Sequence, residues 1–165
     1  MVLPYLDDAY TLARYLVRDP HDAEDATQEA MLKALRHLDQ CRADNARPWL
    51  FAIVRNTCHT MFRRRGNSAE EVSFDETVHS EEVDAVQPDA LMIRAADQEA
   101  VQRALAALPL PFREVVVLRE LQGLSYKEIA EVADVPIGTV MSRLGRARER
   151  LESLLGGSAE KEGQR

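Results

Sequence analysis

Aromatic residues make up only 5% of this 165-residue sequence, and it holds just two cysteines and seven glycines. Few large rings, a hydrophobic share of 45% and little period-two alternation point to helical packing through Leu, Val and Ala rather than to sheets. The fold class read from these features is all-α. Cys41 and Cys58 are too few for a disulfide framework, and their spacing fits no zinc pattern with His37 or His59. Two reduced thiols are expected, and nothing requires a metal or a cofactor. No run approaches the roughly 20 apolar residues that cross a bilayer. The start, Met-Val-Leu-Pro-Tyr-Leu-Asp-Asp, lacks the basic segment and apolar run of a signal peptide. The expectation is a cytoplasmic protein with no membrane insertion.

An excess of positive charge is also missing. The formal net charge is −7. Its distribution matters more than its total. Residues 1–65 carry +1, residues 66–92 carry eight acids and no Lys or Arg, and residues 93–165 carry 11 charges of each sign. The acidity is confined to the middle of the chain. Without a basic field over a whole domain, the isolated chain is expected to bind DNA weakly.

DNA is nevertheless the first partner to consider, because residues 123–144 read as a helix-turn-helix. Ser125 and Glu128 have capping-box spacing, which satisfies free backbone N–H groups at a helix start. Ile129, Ala130 and Ala133 give that helix a small, apolar inner face. Asp134-Val135-Pro136 breaks it, since Pro136 has no N–H and restricts Val135. A second helix runs from about Ile137 to Leu155, where Gly156-Gly157 is expected to stop it. Val140, Leu144, Ala147 and Leu151 face inward at helical spacing. Thr139, Ser142, Arg143, Arg146 and Arg150 are expected on the outer face. Arg143, Arg146, Arg148 and Arg150 against Glu149 make a local +3. Hydroxyls and guanidiniums are the groups that bond phosphates and base edges in a major groove.

The rest of the chain divides around the acidic segment. Residues 1–65 fit three helices. The first carries Leu3, Leu6, Tyr10, Ala13, Leu16 and Val17 on one side. Asp19-Pro20 reads as an N-cap followed by Pro at the first helical position of the second. That helix reaches about Leu38, with Ala23, Ala26, Ala30, Leu35 and Leu38 available for packing. A polar loop precedes the third, from near Asn45 to Arg63-Arg64-Arg65-Gly66. Residues 66–88 read as a flexible acidic linker, being polar and of like charge. Residues 89–155 form a second small domain of four helices ending in the helix-turn-helix. Within it, Pro109-Leu110-Pro111 separates helices at 89–107 and 112–122. A disordered tail is expected over 156–165.

Two segments resemble one family. Asp22-Ala23-Glu24-Asp25-Ala26-Thr27-Gln28-Glu29-Ala30, with Pro48-Trp49-Leu50-Phe51-Ala52-Ile53-Val54-Arg55-Asn56, resembles the sigma-two domain of bacterial sigma factors. Ala107-Leu108-Pro109 through Leu151 resembles their sigma-four domain. Order and spacing look like the extracytoplasmic-function (ECF) subfamily. The resemblance implies that the chain binds core RNA polymerase, directs it to promoter DNA and assists melting. Asp22, Asp25, Gln28 and Glu29 are similar to the polymerase-binding surface. By themselves these side chains read only as a solvated helix face.

Asn45, Arg55, Asn56, Arg63 and Arg64 fall in the part of the resemblance that reads the minus-ten element. A loop beside an aromatic-bearing helix can pocket an extruded base, and an amide can read a base edge. Trp49 matches a core position there. Thr139, Ser142, Arg143 and Arg146 match exposed positions of the minus-thirty-five reader. Residues 112–122 look like part of a surface that docks on polymerase. An anti-sigma protein is a further partner the resemblance implies, and catalytic residues are not. The acidic linker fits either a nucleic-acid mimic in a basic channel or a solubilising tether.

Two departures stand out. Asp134 occupies a turn position where the family commonly has Gly, and Asp tolerates a left-handed conformation at modest cost. Met141 stands where Lys is frequent, which removes a phosphate contact. A stand-alone helix-turn-helix repressor is the alternative reading, opposed by the first two segments. A carboxylate enzyme built on Glu24, Asp25 and Glu29 finds no recurring metal-ligand set or nucleophile–base pair.

Overall fold

The computed structural model describes residues 2–65 and 98–163, with side chains through residue 156. The expected linker at 66–88, the start of the second domain at 89–97 and residues 164–165 lie outside the described residues. Among the described residues there are seven α-helices: α1 (Leu6–Val17), α2 (Pro20–Arg36), α3 (Ala46–Arg64), α4 (Gln98–Ala107), α5 (Leu110–Val116), α6 (Tyr126–Ala133) and α7 (Ile137–Gly163). No strand occurs among the described residues, as the composition leads one to expect.

The first three helices pack mutually through small side chains. Ala9, Leu12, Ala13 and Leu16 of α1 meet Ala23, Ala26, Ala30, Met31 and Ala34 of α2 and Leu50, Phe51, Val54 and Cys58 of α3, all in one buried cluster. Alanines at these positions let helix axes approach closely, so little aromatic volume is needed. Asp19 caps α2 as expected, accepting from the backbone N–H groups of His21 at 2.8 Å and Asp22 at 3.2 Å. These bonds hold its carboxyl below the ordinary range. Cys58 is fully buried beside Glu114, and burial first, then that carboxylate, pushes its thiol up to about 12.

Four expectations from the sequence are corrected. Leu3 and Leu6 are 67% and 42% exposed, because α1 starts only at Leu6 and its buried stripe begins at Ala9. Leu35 and Leu38 are also exposed. The buried face of α2 runs through Met31 and Ala34, and the α-helix ends at Arg36 with a 3-10 turn over Leu38–Gln40. Third, α7 continues through Gly156-Gly157 to Gly163, past the expected stop and into the expected tail. Glycine ends a helix by adopting positive φ, and among the described glycines only Gly123 does so. Fourth, α5 does not extend as one α-helix to Gln122. Val117–Leu121 forms a π-helical turn, closed by Gln122 N–H donating to the Val117 carbonyl at 3.1 Å. The added residue rotates the downstream chain relative to α5.

Candidate nucleic-acid interface

The helix-turn-helix is built as its local sequence dictates. Glu128 N–H donates to Ser125 Oγ at 3.1 Å, and Ser125 N–H donates to Glu128 Oε1 at 2.9 Å, completing the capping box of α6. Asp134 takes the left-handed conformation at φ 55°, ψ 50°, and its N–H reaches the Ala130 carbonyl. Pro136 opens α7 through its carbonyl, which accepts from Thr139 N–H at 3.0 Å. Ile129, Val132, Val140, Leu144, Ala147 and Leu151 are buried between α6, α7 and the rest of the second domain.

The outer face of α7 is narrower than its sequence suggests. Thr139, Arg143 and Arg146 are half-exposed. Ser142 is 1% exposed, and its hydroxyl donates to the Thr139 carbonyl at 3.1 Å. It therefore does not stand on the outer face as expected. Arg148 is buried, with Nη2 donating to Glu120 Oε1 at 2.6 Å, so the local +3 is not all on the surface. The π-helical turn carries that Glu120. Arg150 is exposed, with its guanidinium over the buried Phe112 ring of α5 at 5.0 Å.

On α3, Asn56, Arg63 and Arg64 are exposed and Asn45 is half-buried at the helix start. Trp49 packs partly against the core, as expected for it. It also lines an open groove of about 330 Å³ with Lys33, His37, Gln40, Ile53 and Asn56. The groove sits where the loop before α3 meets the helix, and Asn56 brings an amide to its rim. Lys33 and His37 were not anticipated there. Their i,i+4 spacing at the end of α2, where His37 is the C-cap, facing a Trp on α3, is a signal that only the helix pairing makes readable.

Arg55 behaves differently from its neighbours. Its Nε donates to Glu114 Oε1 at 2.5 Å across the two halves of the molecule, and Nη1 donates to Asn56 Oδ1 at 3.1 Å. On α2, Asp25 and Gln28 are exposed, and Glu29 pairs with Lys33 at 3.4 Å. Asp22 forms a bidentate pair with Arg65, one arm at 2.6 Å, which ties the C-terminal end of α3 back to α2. That hydrogen bonding raises the Arg65 guanidinium further above its usual range. Asp22 is thus more enclosed than the solvated face its sequence position suggests.

Residues 1–68 match the family described as Sigma-70 region 2, and residues 98–151 match Sigma-70, region 4. The chain is 36% identical over 163 residues to RNA polymerase sigma-H factor of Pseudomonas aeruginosa, covering 94% of this chain and 84% of that relative. It is 38% identical over 139 residues to ECF RNA polymerase sigma-E factor of Escherichia coli, covering 80% and 73%.

The chain belongs to the ECF RNA polymerase sigma factors.

Solved structures agree. The sigma factor RpoE of Bartonella quintana, determined in complex with the anti-sigma factor NepR, matches with a TM-score of 0.72 at 30% identity over 94% of both chains. CnrH, determined in complex with the cytosolic domain of CnrY, matches with a TM-score of 0.66 at 27% identity, over 94% of this chain and 85% of that one. In this ECF sigma factor α1–α3 therefore constitute region two, and α4–α7 fall in region four. Among the described residues no His/Cys/Asp/Glu group could hold a metal ion, and no helix is long and apolar enough to cross a membrane.

Proposed function

We propose that this sigma factor binds core RNA polymerase through the outer face of α2, reads the minus-ten element with α3 and reads the minus-thirty-five element with α7. The observation that carries this reading is the joint presence of a capped helix-turn-helix and the α2–α3 groove in one ECF chain. Asp25, Gln28 and Glu29 supply acceptors and an amide on α2, suited to Arg or Lys on a partner. Leu32 and Leu35, 54% and 50% exposed, add apolar area on the same helix. Asp22 orients the end of α3, and its contribution to polymerase contact is secondary to that.

For DNA, Asn56 faces an extruded base at the groove, with Asn45 at the loop beside it. Arg63 and Arg64 hold the backbone. Thr139, Arg143 and Arg146 enter the major groove. Ser142 shapes the α7 backbone and does not itself reach a base. The two readers work as units at 1–65 and 89–155, and the acidic linker at 66–88 sets the span between them. The chain acts in the cytoplasm and is no enzyme, since polymerase performs the chemistry. An anti-sigma protein holds it off, by analogy with the complex of RpoE with the anti-sigma factor NepR.

Affinity for core polymerase tests the assignment. Replacing Asp25, Gln28 and Glu29 together by Ala is expected to weaken binding at least tenfold, about 1.4 kcal/mol. Asn56→Ala should change minus-ten preference with polymerase affinity intact. Unchanged affinity in the triple variant would remove α2 from the docking surface.

A further inference from the structure

The two DNA readers of this sigma factor are packed against each other. Helix α3 presents Arg47, Phe51, Arg55 and His59 in a straight row at i,i+4 spacing, on the side where it meets region four. Arg47 Nη2 donates to the Gln122 carbonyl at 2.5 Å and to Gln122 Oε1 at 3.0 Å. Gln122 Nε2 in turn donates to the Asp8 carbonyl at 3.4 Å. Arg55 holds Glu114 Oε1, while His59 Nε2 faces Glu114 Oε2 at 3.5 Å, within ion-pair reach, and neither of those two buried atoms has a hydrogen-bond partner. Arg113, fully buried, donates Nη2 to the Leu16 carbonyl at 3.0 Å.

Glu114 has no solvent exposure. Burial pushes its carboxyl up, but His59 and Arg55 outweigh burial and hold it below the ordinary range. A charge so placed is stable only while its partners stay, so the cluster favours one docked arrangement over a loose one. That arrangement is not the promoter-bound one. The two promoter elements lie roughly 25 base pairs apart, which at about 3.4 Å per base pair is about 85 Å along the duplex. Two regions packed together, with α3 on α6, cannot place α3 and α7 on both.

We propose that Glu114 of region four is a latch that captures Arg55 and His59 of region two, keeping the free sigma factor closed and withholding Arg55 from DNA until polymerase separates the domains. The Arg47–Gln122 contact is a second clasp at the other end of α3. The withholding of Arg55 rests on the minus-ten role that the sigma-two resemblance implies for it, whereas closure does not. One guanidinium thus serves two states, paired with a carboxylate in one and with a phosphate in the other.

Small-angle scattering on the full free chain, beside binding of a single-stranded minus-ten oligonucleotide, tests this without polymerase. The wild type should scatter as a compact particle. Glu114→Gln should raise the radius of gyration and strengthen oligonucleotide binding severalfold, with helicity by circular dichroism unchanged. If Glu114→Gln unfolds region four, Arg47→Ala reads the same opening from the rim and should expand the particle to a smaller degree. An already extended wild type, or a folded Glu114→Gln chain as compact as the wild type, overturns the latch. Expansion with no gain in oligonucleotide binding overturns the withholding of Arg55. Failure of the sigma-factor reading would show separately, as no binding to core polymerase by any of these proteins.

Discussion

Two basic helices, α3 and α7, face opposite fates in this molecule. The cationic row of α3 is turned inward, with Arg47 on Gln122 and Arg55 on Glu114. The outer face of α7 keeps Thr139, Arg143 and Arg146 half-exposed. Both helices have the residue types that bind DNA, yet the α3 row is engaged with the other half of the protein, whereas Arg146 of α7 pairs within its own helix, with Glu149 at 3.7 Å, and stays half-exposed. Basic residues on a helix therefore say little until their partners are known. A guanidinium near a buried carboxylate is part of the fold's own electrostatics. One on an outer face is available to a ligand.

The largest break in that comparison should come from the buried carboxylate. Glu114→Ala leaves Arg55 and His59 facing an empty site, and removing one partner of a buried pair costs about 3–5 kcal/mol. Asp22→Ala breaks the pair with Arg65, whose side chain is 54% exposed and screened by solvent, and should cost much less. Urea unfolding of the two variants checks the ratio, and equal losses would mean the α3 row is not buried in solution.

Acid should act in the same direction as Glu114→Ala. The folded Glu114 carboxyl sits below its ordinary value of 4.5, so its contribution is present above that value and lost as pH falls through the lower folded value. Stability measured against pH is thus expected to decline below about 4.5, and the Glu114→Gln variant should lack that share of the decline.

On α7 the effects are smaller and are read on DNA. Arg143→Ala should lower minus-thirty-five discrimination by about 1–3 kcal/mol if the contact is to a base edge. A uniform loss across sequences, measured by competition with altered promoters, would assign it to phosphate instead. Ser125→Ala removes the cap of α6 and should cost about 1 kcal/mol in stability. Promoter preference should be unchanged in that variant.

The parts of the structure that local chemistry dictates were legible in the sequence. Asp19 before Pro20, the Ser125–Glu128 box, Asp134 in the turn and Gly123 after the π-helical turn each act within a few residues. What the sequence did not disclose depends on how the halves meet. Adjacent Arg113 and Glu114 look like surface charge, and both are fully buried. Ser142 looks like a groove contact, but its hydroxyl is occupied one turn back. Arg148 is distinguished from Arg146 only by facing Glu120. The i,i+4 row on α3 was visible as a pattern, but its target was not. Leu35 was expected to pack because it is apolar. It stays exposed because the neighbours of α2 are met through alanines.

Transcription in vitro with core polymerase, on DNA upstream of the gene for this chain, tests the central claim most directly. The account predicts transcripts from a defined start that depend on the added protein and weaken with Asn56→Ala or Arg143→Ala. A protein that binds duplex DNA while failing to bind core polymerase, and that yields no transcript, would contradict it.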